Sequence, residues 1–88
     1  MPEENPLTEA DLKLLQELGL LGCASLDTCN ETINSLRLRQ LDKLKLILSR
    51  ISNEKSLFSP EVTEGIRKND LKMFARAIIA LNVYVGKP

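Results

Sequence analysis

Residues 70–85 read Asp70-Leu71-Lys72-Met73-Phe74-Ala75-Arg76-Ala77-Ile78-Ile79-Ala80-Leu81-Asn82-Val83-Tyr84-Val85. A surface helix of a small protein normally carries one apolar stripe and one polar face. As a helix, this stretch is apolar on nearly every side. Either it runs through the centre of a helical domain, or part of it awaits another protein. Phe74, Ile78, Leu81 and Val85 recur at helical steps and make a core-facing side. Lys72, Arg76, Ile79 and Val83 form a second row on a different side. One reading makes Ile79 and Val83 core, with the two bases snorkelling outward along their stems. The other makes the row an interface, to a second copy of the chain or to an acidic amphipathic segment of another protein.

The preceding segment fits a helical partner for this one. Ser59-Pro60-Glu61 is a helix start, with Ser as N-cap, Pro at the first position and an acid in the first turn. It predicts a short helix over 60–68 that presents Val62 and Ile66 and is weakened by Gly65. Asn69-Asp70 reads as a stop and restart, which separates this helix from the one at 70–85; a single helix over 60–85 is the alternative.

Further toward the N-terminus, Ile33, Leu36, Leu41, Leu44, Ile47, Leu48 and Ile51 gather mostly at three- and four-residue steps with no Gly or Pro between them. The spacing predicts one long helix over 30–52. Arg37 and Gln40 interrupt its apolar arc near the N-terminal end, where polar side chains can reach solvent. Asn53-Glu54-Lys55-Ser56 reads as a polar connection, with Leu57 and Phe58 as an apolar plug behind it. The segment 20–29 is apolar for a loop; Leu20, Leu21 and Leu26 are expected in the core, and a short helical turn after Ser25 would add a fifth helix. Thr28 and Glu31 have capping-box spacing and Asn30 also suits an N-cap, so the long helix starts near these residues. Thr8 and Asp11 cap a first helix over 9–19, Leu7 and Leu12 occupy its staple positions, and Gly19 and Gly22 offer left-handed positions at its end. The expectation is an all-α bundle of four, or five, helices at 9–19, 30–52, 60–68 and 70–85. It forms a single domain over 7–86 behind a polar tail at 1–6.

Composition agrees with helices. At 88 residues the chain is one domain, and its hydrophobic fraction of 43% comes mainly from aliphatic residues, with two Phe, one Tyr and no Trp. That mix favours helix packing over a sheet. The net charge is zero but unevenly spread. Residues 1–29 hold six acids against Lys13, and the two later thirds carry a net positive charge. The acidic third can pack against the basic remainder, or the basic part can attract an acidic partner.

Chemistry is sparse. The chain has no histidine, which removes the usual general base and Ser-His or Cys-His pairs. Cys23 and Cys29 match no zinc-site spacing. They read as free, buried thiols, although Cys29 near a helix start also suits a lowered pKa. The pairs Glu61/Glu64 and Glu9/Asp11 open helices, and dipole complementarity explains them. No phosphate loop or metal-ligand cluster is visible, so neither a catalytic activity nor a cofactor is expected. An acidic, proline-broken N-terminus and the lack of an apolar stretch of ~20 residues point to a cytoplasmic protein without a membrane span.

A second mixed row lies on the 30–52 helix, where Arg39, Lys43 and Arg50 share a side with Leu46. Phe74, Ala77 and Leu81 resemble the second helix of a tetratricopeptide repeat, but the Trp/Leu/Gly/Tyr run of that repeat's first helix is missing. The leading expectation is a small non-enzymatic protein-interaction module, such as an adaptor, regulator or chaperone-like protein. Its candidate contact residues are Arg39, Lys43, Leu46, Arg50, Lys72, Arg76, Ile79 and Val83. The partner would be another protein or a second copy of the chain. The alternative is a nucleic-acid-binding regulator working through Arg39, Lys43 and Arg50.

Overall fold

The computed structural model describes residues 7–23, 25–54 and 57–85. Among them are five helices: α1 (Glu9–Glu17), α2 (Leu26–Asn34), α3 (Leu38–Glu54), α4 (Pro60–Arg67) and α5 (Leu71–Val85). The chain is an all-α bundle. The polar tail expected at 1–6 lies outside the described residues, as do 86–88.

Local chemistry sets the helix ends. The Thr8 hydroxyl accepts from Asp11 N–H at 3.1 Å and the Asp11 carboxylate accepts from Thr8 N–H at 3.0 Å, a complete capping box. At the far end of α1, Gly19 takes φ +79°. Leu20 N–H reaches the Leu15 carbonyl at 2.9 Å and Gly19 N–H the Gln16 carbonyl at 3.1 Å. This is a Schellman motif, with fully buried Leu20 over buried Leu15. The same motif closes α4 on Asn69, a non-glycine residue at φ +63°. There Asp70 N–H donates to the Gly65 carbonyl at 2.8 Å and Asn69 N–H to the Ile66 carbonyl at 3.2 Å. Ser59 and Pro60 start α4 as expected, and the Ser59 hydroxyl accepts from Val62 N–H.

The long helix predicted over 30–52 is two helices. Ser25, not Thr28 or Asn30, is the N-cap of α2. The chain then leaves helical geometry between Asn34 and Leu38. Two side chains stabilise the break: the Ser35 hydroxyl donates back to the Glu31 carbonyl at 3.0 Å, and Gln40 Oε1 accepts from Arg37 N–H at 2.8 Å. Gln40 thus acts as the reciprocal half of a capping box opening α3. Apolar spacing does not reveal this corner, because Ile33, Leu36, Leu41 and Leu44 keep helical phase across it. Arg37 accordingly belongs to the corner rather than to a helical arc.

α5 is the central element. It packs extensively on α2 and α4 and also touches α3, which itself packs on α4. Phe74, Ala75, Ala77, Ile78 and Leu81 of α5 are buried, in one core with Ile33 of α2, Leu44, Ile47, Leu48 and Ile51 of α3, and Val62 and Ile66 of α4. α1 adds Leu15 and Leu18. It also carries the buried Asp11, which is ion-paired with Arg50 of α3. Burial pushes the Asp11 carboxyl up, but hydrogen bonds from Thr8 and Arg50, with the guanidinium charge, outweigh it and hold the group below its ordinary value. Leu20 and Phe58 are buried as expected, whereas Leu21 and Leu26 are exposed. Leu21 sits in the turn beside left-handed Gly22 and Leu26 opens α2, so neither is on the arc that α2 turns to α5.

Candidate interaction surface

The outward side of α5 is the row Lys72, Arg76, Ile79 and Val83. Its flanks are occupied: Ala75 is buried on one side, and half-buried Met73 and Ala80 lie on the other. Met73 is held close to Gly65 of α4. The two readings of this row divide between its members. Ile79 is half-buried and packs against the core, whereas Val83 is 60% exposed. Lys72 and Arg76 are exposed, and Arg76 lies 3.7 Å from Glu61 of α4. Such an exposed pair contributes at most about 1 kcal/mol and leaves the guanidinium available to a partner.

Val83 has exposed apolar company. Asn82, the next residue back, ties the α1–α2 loop to the end of α5. Its Oδ1 accepts from Gly22 N–H at 2.7 Å, and its Nδ2 donates to the Leu20 and Cys23 carbonyls at 2.9 and 3.2 Å. This clamp holds exposed Leu21 at the last turns of α5, where Val83 lies, and exposed Leu26 follows three residues after Cys23 at the start of α2. The amide's role was not read from the sequence. The available signal is a lone carboxamide in an otherwise apolar run, opposite an apolar loop whose backbone groups need partners. In Asn82→Ala, the Leu20–Cys23 backbone groups lose three hydrogen bonds. A loss of about 1–3 kcal/mol is expected, read as a lower urea midpoint with an unchanged slope.

The second row, on α3, points elsewhere. Leu46 is 70% exposed, and Arg39 and Lys43 beside it are exposed. α3 meets the rest of the bundle through its opposite side, Leu44, Ile47, Leu48 and Ile51, so this row faces away from α5. The eight candidate residues therefore make two surfaces. Arg50 is turned to Asp11 of α1 and is only partly exposed. Leu38, 79% exposed at the start of α3, was not singled out from the sequence. It falls off the apolar arc read from the sequence, and the corner before α3 leaves it at an exposed helix start.

No cluster of three or more His, Cys, Asp or Glu side chains that could hold a metal occurs among the described residues. Nor is any helix among them long and apolar enough to cross a membrane. Cys23 and Cys29 are buried free thiols. Cys29 does not have the lowered pKa that a helix start suggests: burial, together with the neighbouring Cys23 thiol, pushes it up to about 12. A shallow depression where α1 and α2 end and α3 begins is lined by Glu17, Glu31, Thr32, Ser35 and Gln40 with no basic residue. It gives the molecule an acidic face to set against its basic rows. No family model matches the chain, and neither do the curated proteins or the solved structures compared with it.

Proposed function

We propose that this chain is a non-enzymatic protein-interaction module whose contact surface is the outward row of α5. One observation carries the reading: the central helix of the bundle leaves Val83 exposed in its last turn, in line with exposed Arg76 and Lys72 two and three turns back, and Asn82 holds exposed Leu21 at the Val83 end. A solvated face normally carries polar residues at such positions. A row that is basic toward one end of α5 and apolar at the other suits an acidic amphipathic helix lying along it, with anchors at the apolar end and carboxylates against Arg76 and Lys72. A second copy of the chain is the other candidate occupant, because its Glu17 and Glu31 face supplies the complementary charge. The cytoplasm is the compartment this reading assumes.

The nucleic-acid alternative rests on Arg39, Lys43 and Arg50. Its support is weaker, since Arg50 is paired with Asp11 and Asp42 stands exposed among the remaining cations.

Val83→Asp is the cleaner test, because Ile79 also serves the core. The variant is expected to keep the helical circular dichroism of the parent. If the parent is dimeric by light scattering, Val83→Asp should be monomeric. If the parent is monomeric, a synthetic Leu/Glu amphipathic helix should shift the amide resonances of residues 72–83. Val83→Asp should then weaken that binding by at least about tenfold, the equivalent of one lost buried aliphatic side chain. A monomer whose resonances do not move with peptide overturns the proposal. Oligonucleotide binding that falls steeply with salt would favour the alternative instead.

A further inference from the structure

Cys23 and Cys29 belong to the same part of the core. Cys23 lies in the turn before α2 and Cys29 in the first turn of α2. One carbonyl oxygen joins them: Ser25 O is 3.9 Å from Cys23 Sγ and accepts from Cys29 N–H at 2.9 Å. The Cys23 thiol also adjoins the Cys29 side chain closely enough to oppose its ionisation. The two differ in access. Cys23 is 9% exposed and Cys29 is fully buried.

We propose that Cys23 and Cys29 are a reversible oxidation site, at which a hydroperoxide converts the two thiols into an intrachain disulfide. Cys23, the more accessible sulfur, reacts first as its thiolate. A sulfur–oxygen bond forms as the peroxide oxygen–oxygen bond breaks. The departing hydroxide takes up the thiol's proton as water, leaving Cys23 as a sulfenic acid. The Cys29 sulfur then attacks the Cys23 sulfur. The sulfur–sulfur bond forms, the sulfur–oxygen bond breaks, and the oxygen leaves as a second water with the Cys29 proton. One hydrogen peroxide is reduced to two waters, and two thiols are oxidised by two electrons. Cys29 is suited to the second step: fully buried, it is screened from peroxide in solvent, and its proton leaves with the Cys23 oxygen as the two sulfurs join. As a buried neighbour it can trap the sulfenic acid before further peroxide arrives. The product would fasten the α1–α2 loop to α2, on the loop whose carbonyls Asn82 already holds.

The test uses the full chain and hydrogen peroxide. The folded protein should lose two hydrogens, ~2 Da by intact mass. It should resist alkylation by iodoacetamide after denaturation and recover both thiols with dithiothreitol. Non-reducing peptide mapping should find the Cys23–Cys29 link. In Cys29→Ala the reaction should stop at a Cys23 sulfenic acid that dimedone traps. In Cys23→Ser, Cys29 should survive the same treatment while the fold is kept. The wild-type peptide map decides the matter even where a variant unfolds. Two alkylatable thiols after peroxide, a disulfide between chains, or a Cys23 sulfinic acid in place of the link overturns the proposal.

Discussion

Phe74→Ala is expected to lose about 3–5 kcal/mol of stability, a large share of the roughly 4–13 kcal/mol that a chain of this length holds. Phe74 is 1% exposed on the helix that packs against α2, α4 and α3. Its neighbours Ala75 and Ala77 are already small and fully buried, so neither can reach into the space that the ring vacates. Collapse would require three helices to move toward α5 together. Urea unfolding followed by circular dichroism should give a midpoint well below the parent's, or no cooperative transition. On the exposed side of the same helix, Val83→Ala should stay within about 0.5 kcal/mol of the parent. Equal losses from the two substitutions would contradict the assignment of a buried and an outward side to α5.

That assignment was legible in the sequence because α5 is decided by periodicity alone. Its four core positions and its outward row fall at helical spacing, and burial follows them except at Ile79, half-buried at the edge of the row, and at Val85, only partly buried in the last turn. Helix ends marked by dedicated chemistry were equally legible: Thr8 with Asp11, Gly19, Ser59 with Pro60, and Asn69; Gly22 is left-handed but turns the loop after α1 instead of ending the helix. The corner at Ser35–Arg37 was not. It is made by Ser35 and Gln40 side chains bonding to backbone, both residues are at home inside helices, and the apolar phase continues through the turn. Contacts between residues distant in sequence were hidden for another reason. Asp11 has a sufficient local role as a capping residue, and Arg50 falls on a basic row, so nothing in either neighbourhood announces their ion pair. The exposure of Leu21 and Leu26 likewise depends on where the Asn82 clamp holds the loop. The candidate surface was therefore legible as a row on one helix. Its apolar extension across the α1–α2 loop was not.

Gly65→Ala sets helix propensity against packing, and packing is expected to win. In an unconstrained helix interior this change gains roughly 0.5–1 kcal/mol. At position 65 an added Cβ would fall on both Cβ and Cγ of Met73. The Cγ can swing aside, but the Met73 Cβ is fixed to the α5 backbone. Relief therefore requires α4 and α5 to separate, and Val62, Ile66 and Phe74 share the core between them. The turn joining the two helices resists that movement, because the Gly65 carbonyl itself accepts the Asp70 N–H that closes the Schellman motif. A net loss of about 1–3 kcal/mol is expected for alanine, and more for valine, whose second branch meets the same wall. The pair Gly65→Ala with Met73→Ala separates the two contacts, since it removes Cγ and leaves Cβ. It should recover only part of the loss, giving a coupling energy in a double-mutant cycle measured by urea unfolding. A Gly65→Ala protein more stable than the parent would mean that propensity governs this position and that the two helices do not approach as closely as their backbones indicate.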